Sequence, residues 1–293
     1  MTTTSRPAGT HGPAHSAGNP GRLRAALGAL AAVLALAFVL VPRPWAASMS
    51  DGGFGDQRRL VGRLSDAFVG YWDSGDRDIS PDLKNVMDYW SQYHVAKAVC
   101  AALLLLVFIA LGVHLWRSFL RADGLGAGRR AALASAGGVA TALALFSLAA
   151  VMANVQGATA PLSSLLSLLP IRTPHGALAA TLDQVRQHLA EYPDPGGRAP
   201  AAVEVMVDDF ARYHAVIAVA ASTVAVVLIG LSVASWRKSA RTAVSDRRTK
   251  RVFRWFGLLS ALLSLAVVVV AAANTATTAD PAPALLGFFR GGW

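Results

Sequence analysis

Tyr93-His94 and Tyr213-His214 each stand at the mouth of a long apolar run, in "YHVAKAV" and "YHAVIAV". Imidazole is a common metal and haem-iron ligand, and it changes charge near neutral pH. Two imidazoles at one depth suit a shared metal or haem, or a pH-sensitive contact. Lys97, one turn past His94, offers a cation to an anionic group, where the second copy carries Ile217. Asn154 and Asn274 each close a later apolar run, placed either to cap its backbone or to line the same cleft. His94, His214, Tyr93, Tyr213, Lys97, Asn154 and Asn274 are therefore the candidate ligand-binding set, in a cleft at the outer end of the spans.

The plainer reading of each is structural. A hydrogen-bonded interfacial His beside a membrane-belt Tyr recurs whenever its unit is duplicated, and a Lys one turn inside a span snorkels to the surface. Zinc usually takes three or four protein ligands, and two His fall short of that. No metal, cofactor or catalytic residue is assigned.

The helices that must position these residues are legible. Leu83, Met87, Trp90 and His94 fall at spacings of four and three, as do Val203, Val207, Phe210 and His214. Both His therefore continue the apolar, inward-facing stripe of a helix. Ser80-Pro81 and Pro200 mark the starts. With no breaker before the following apolar run, each is one helix of roughly 40 residues, about 60 Å long.

The stripes recur because the sequence repeats. "DYWSQYHVAKAVCAALLLLVFIALGVHLWRSFLR" at Asp88–Arg121 lies over "DDFARYHAVIAVAASTVAVVLIGLSVASWRKSAR" at Asp208–Arg241 without a gap. Asp88, Tyr93, His94, Trp116, Arg117 and Arg121 all meet identical residues. At the same offset Asn154 meets Asn274 and Pro161 meets Pro281. Each unit holds two spans, so the two copies keep one orientation and form parallel repeats.

The chain of 293 residues is 54% hydrophobic and 15% charged. Its mean hydropathy is +0.44. Soluble proteins average about 25% charged residues. Five runs are long and apolar enough to cross a bilayer: Leu23–Val41, Ala96–Trp116, Ala131–Ala153, Ala215–Trp236 and Phe256–Ala273. The fold expected is an all-α integral membrane protein with five transmembrane helices. The last four form the two parallel repeats, beneath a small helical extracytoplasmic cap.

The net charge of +10 resolves into short basic loops. Arg117, Arg121, Arg129 and Arg130 separate spans two and three. Arg237, Lys238, Arg241, Arg247, Arg248, Lys250 and Arg251 separate spans four and five. The positive-inside rule then puts the N-terminus in the cytoplasm and the C-terminus outside, in a plasma membrane. This accounts for the charge without nucleic acid. Cys100 is the only cysteine, so no intramolecular disulfide exists and the Cys reads as a small apolar residue.

Four segments follow. Residues 1–22 are a disordered cytoplasmic N-terminus, and 23–41 an uncleaved signal-anchor span. Residues 55–172 form repeat unit one and 173–293 repeat unit two. Each unit has outer helices, two spans and an outer amphipathic segment, "PLSSLLSLLP" or "PAPALLGFF". Those segments read as interfacial, with Phe288, Phe289 and Trp293 as belt aromatics. Thr173-Pro174 offers an N-cap for the first helix of unit two.

The span centres hold no Asp, Glu, Lys or Arg, and no HExxH, GxSxG or P-loop motif occurs. The expected function is non-enzymatic. It is that of a scaffold, accessory subunit or ligand- or partner-binding membrane protein acting through its cap. Its partners are the lipid bilayer and a second copy or another membrane protein. The alternatives are an oligomeric transporter and a His-based metal or haem redox protein. Composition rich in Ala, Gly and Arg suggests a bacterial source.

Overall fold

A computed structural model describes residues 20–50, 54, 56–121, 124, 126–192 and 199–292. The N-terminal segment read as disordered, apart from its last residues, and Trp293 lie outside these. Among the described residues the chain is helical, with no strand. In order it forms α1 (Pro20–Leu40), α2 (Pro42–Ser48), α3 (Gln57–Ser74), α4 (Pro81–Leu120) and α5 (Ala127–Thr159). There follow α6 (Pro161–Leu166), α7 (Gly176–Ala190), α8 (Ala201–Arg241), α9 (Arg247–Ala279) and α10 (Pro281–Phe289).

Helices α1, α4, α5, α8 and α9 are each long and apolar enough to cross a membrane. Pro81 sits at the first turn of α4, where its missing N–H costs nothing, and the Ser80 hydroxyl accepts from the Leu83 amide. The helix then runs 40 residues unbroken, and α8 runs 41. Asp246 caps α9 by accepting from the Thr249 amide at 3.0 Å.

In lipid, apolar faces gain nothing by meeting each other, so helix pairs form where small residues allow close contact. That is how α4 pairs with α5 and α8 with α9. Ala101, Gly112, Gly137 and Ala140 are buried in the first pair. Ala218, Ala221, Ala225, Gly257, Ser260 and Ser264 are buried in the second. Near the basic loops Trp116 lies flat on Gly137, and Trp236 on Gly257. A Cβ on either glycine would come within 3.0 Å of the indole. The α1 helix runs antiparallel along α4, with Ala31 packed among Leu104, Val107 and Phe108, and Arg24 donating to the Ser118 hydroxyl at 2.9 Å.

At the opposite end α2, α3, α6, α7, α10 and the first turns of α4 and α8 share one apolar core. Leu64, Phe68, Tyr71, Leu83, Leu182, Val185, Val203 and Met206 are almost wholly enclosed there. We call this the head. The Trp72 indole donates to Gln184 Oε1 at 2.6 Å, and Arg77 pairs with Glu204 and, at 3.8 Å, with Asp208. These contacts link residues before α4 to residues before and within α8.

Three sequence expectations change here. Helix α7 starts at Gly176, with His175 as N-cap, not at Thr173-Pro174. Gly176 has φ +61°, a turn only glycine makes cheaply, and it delays the helix. The short segments α6 and α10 are not interfacial. Leu162, Leu165, Leu166, Leu285 and Phe289 are sealed in the head core, because α6 wedges between α4 and α8 while α10 lies on α7 and α8. Phe288 and Phe289 are therefore core residues rather than belt aromatics.

Candidate functional site

The two histidines sit where the head meets the apolar helix pairs. His94 Nδ1 lies 2.9 Å from Asn154 Oδ1, and His214 Nδ1 lies 2.8 Å from Asn274 Oδ1. Each bond spans 60 residues and crosses from one long helix to the next. Asn154 Nδ2 donates to the Ala150 carbonyl at 2.7 Å, and Asn274 Nδ2 to that of Val270 at 2.8 Å. Each Asn thus turns its oxygen to the imidazole, and that oxygen can only accept. The imidazole proton must therefore sit on Nδ1, which leaves Nε2 as a bare lone pair when the ring is neutral. Both Nε2 atoms are buried without a partner.

The surroundings of the rings are aromatic. His94 meets Trp90 and Tyr93 edge-on, at centroid separations of 4.8 and 5.5 Å, and lies against Gly157. His214 meets Phe210 at 4.5 Å and Tyr213 at 5.6 Å. Each imidazole is thus engaged within its own helix pair. The asparagines bridge to their histidines rather than simply capping helix ends.

Lys97 and Tyr93 belong to a different neighbourhood. The Lys97 ammonium donates to the Tyr93 hydroxyl at 3.3 Å and stands 4.6 Å above the Phe38 ring of α1. Tyr93 stacks on Trp90 at 5.3 Å. Lys97 therefore faces α1 while His94 faces α5. Six of the seven candidate residues divide among three places: the α4–α5 seam, the α8–α9 seam and the α1–α4 contact.

The seventh, Tyr213, lines a sizeable cavity. The cleft has a volume of about 510 Å³, and its walls include Leu166, Ile171, Phe210 and Phe288. Ser163, Ser167, Thr173 and Arg172 add polar groups. Gln156 Nε2 donates to the Tyr213 carbonyl at 3.1 Å and fixes the backbone there. Among the described residues the Tyr213 hydroxyl has no hydrogen-bond partner. An apolar chamber with a few convergent polar groups is the usual form of a ligand site.

Asp209 supports this cleft and was missed by the sequence reading. It is 6% exposed, and one carboxylate oxygen accepts from both the Ser163 amide and the Ser163 hydroxyl at 2.7 Å. It thereby caps the start of α6 from a separate helix and anchors one wall of the cleft. Burial pushes its pKa up, against the opposing pull of Ser163 and of Arg212 at 3.7 Å. At the repeat offset Asp209 meets Tyr89, so the repeat pattern does not mark it, whereas it does mark Asp88 and Asp208. Those two are exposed. Asp88 pairs with Lys84 at 2.8 Å, and Asp208 faces Arg77 at 3.8 Å.

Among the described residues, no three His, Cys, Asp or Glu side chains gather as a metal site. The fold defines an α-helical, multi-pass membrane protein with a packed head at one end of its five spans. No protein-family model matches the chain, and no curated protein or solved structure is significantly similar to it.

Proposed function

We propose that this is a non-enzymatic plasma-membrane protein whose extracytoplasmic head binds a ligand or a partner protein in the Tyr213 cleft. The observation that carries this reading is the cleft itself, with apolar walls, a free phenol hydroxyl and an α6 wall pinned by Asp209. The basic loops at the far end support a head that lies outside, by the positive-inside rule. The N-terminus is then cytoplasmic and the C-terminus extracytoplasmic.

We further read α4–α5 and α8–α9 as two parallel repeats of one ancestral pair. The matched His–Asn bonds and the matched Trp–Gly contacts support that origin. Divergence between the copies then accounts for the cleft at Tyr213. A protein whose α6 bridges α4 and α8 suits a scaffold or accessory subunit, since the head holds both pairs in one orientation.

The test is photo-crosslinking in intact membranes, with a diazirine-bearing residue at Thr173. Capture of a discrete partner or small molecule is expected, and Ser167→Trp, which fills the cleft, abolishes it. Equal capture from Arg58, an exposed position at the start of α3, would sink the reading. A Soret band in the purified protein that disappears in the His94→Leu/His214→Leu variant would replace it with the haem alternative. Solute flux in liposomes would replace it with the transporter.

A further inference from the structure

At the basic end of the molecule two grooves share a wall. One, of about 450 Å³, is lined by Trp236, Arg247, Lys250, Arg251, Arg254 and Trp255. The other, of about 500 Å³, runs between α9 and the α4–α5 pair. Its surface is almost wholly apolar, built on Trp116, Phe119, Gly138, Leu145, Phe256 and Leu259. Arg251 and Trp255 belong to both. From Arg251 to Leu259 the apolar groove follows α9 for about 12 Å toward the middle of the span.

The charge is one-sided. Four cations face the first groove, and among the described residues no carboxylate forms an ion pair with any of them. Arg248, on the same turn, is instead directed to α4, where it meets the Phe119 carbonyl and ring. Repetition does not explain the cluster. Ala131, Ala134 and Ser135 stand where the second copy has Arg251, Arg254 and Trp255. A generic basic loop accounts for charge near the membrane, but not for a cationic groove that opens onto an apolar one.

We infer that these joined grooves bind a phospholipid with an anionic headgroup. Its phosphate lies among Arg247, Lys250, Arg251 and Arg254, and an acyl chain lies along α9 over Phe256 and Leu259. Basic pockets at the ends of membrane helices hold anionic headgroups in this way. The exposed Trp236 and Trp255 suit the glycerol level of the bilayer. The inference is independent of what the head binds.

The experiment uses the purified full chain in detergent, with thermal unfolding and native mass spectrometry. Phosphatidylglycerol is compared with phosphatidylcholine of identical acyl chains and with soluble glycerol phosphate. Only phosphatidylglycerol is expected to raise the unfolding midpoint by several degrees and to survive as a bound adduct. Arg251→Gln/Arg254→Gln loses both effects. Gly138→Leu also weakens binding without changing charge, because the space above Gly138 is open and a side chain there fills the apolar groove. Arg129→Gln/Arg130→Gln removes equal charge from the other basic loop and leaves binding intact. Equal loss in that control, equal stabilisation by phosphatidylcholine or by glycerol phosphate, or a lipid-free dimer that buries the groove would overturn the inference.

Discussion

His94 and Asn154 hold each other at 2.9 Å across α4 and α5, and the imidazole proton is fixed on Nδ1 because Asn154 spends its amide on Ala150. His214 and Asn274 repeat the arrangement across α8 and α9. A polar pair at the edge of an apolar helix seam sets both the register of the two helices and their rotation. Sliding either helix by one residue would strand a buried donor.

Removing one partner should therefore cost more than removing both. Asn154→Leu leaves the Nδ1–H of His94 without an acceptor, a loss of about 1–3 kcal/mol. The His94→Leu/Asn154→Leu pair should recover part of that. Denaturant unfolding in detergent, read as a double-mutant cycle, measures the coupling. Because the two His–Asn pairs lie in separate seams, changes across pairs should add within about 0.5 kcal/mol. Strong coupling between His94 and His214 would instead point to a site they share.

Gly157→Ala should disturb α4–α5 packing. A Cβ there would fall 2.9 Å from three ring atoms of His94, and Trp90, Tyr93 and Asn154 hem the ring from its other sides. Overpacking of this kind costs about 1–3 kcal/mol. Gly138→Ala, on the open face of the same helix, should be neutral or slightly stabilising, since alanine favours the helix and meets nothing. Thermal melts of the two variants side by side make the comparison.

Asp209 gives a pH signature with a definite sign. Its folded pKa is raised, chiefly by burial in the head. A carboxyl so raised contributes stability that is full below its unfolded pKa and is lost as pH rises through the folded value. Asp209→Asn keeps an acceptor for Ser163 and has no charge to bury. The melting temperature of Asp209→Asn relative to the unaltered protein should therefore climb as the pH rises above the ordinary carboxylate range. A difference that falls as the pH rises would contradict the assignment.

The orientation is testable because Cys100 is the only cysteine. In a Cys100→Ser background, Asp73→Cys reports on the head and Ser245→Cys on the loop before α9, and both positions are exposed. A membrane-impermeant maleimide should label Asp73→Cys in intact cells. Labelling of Ser245→Cys should require opened membranes. The reverse pattern would invert the topology.

The five long helices were legible because their signal is local. Length, hydropathy and the breakers at Ser80-Pro81 and Pro200 act within the segment they define. The stripe ending in His94, and that ending in His214, needed only helical period, and the structure turns both inward. Local chemistry also marked Asn154 and Asn274 as polar groups at the ends of apolar runs. It could not name their partners, since each bond spans 60 residues.

What only the tertiary structure decided is which apolar surface meets which. "PLSSLLSLLP" has the composition of an interfacial helix, and it becomes core because α4 and α8 close over it. Asp209 looks like one more acid on a solvated turn until α6 brings the Ser163 amide to it. Lys97 and His94, three residues apart, part company because α1 packs on one face of α4 and α5 on another. The sequence alone thus determined the long helices and the stripes that α4 and α8 turn inward, since those follow from backbone period and transfer free energy within each segment. The cleft at Tyr213 and the basic groove on α9 depended on long-range packing, because each is walled by side chains from helices far apart in the chain.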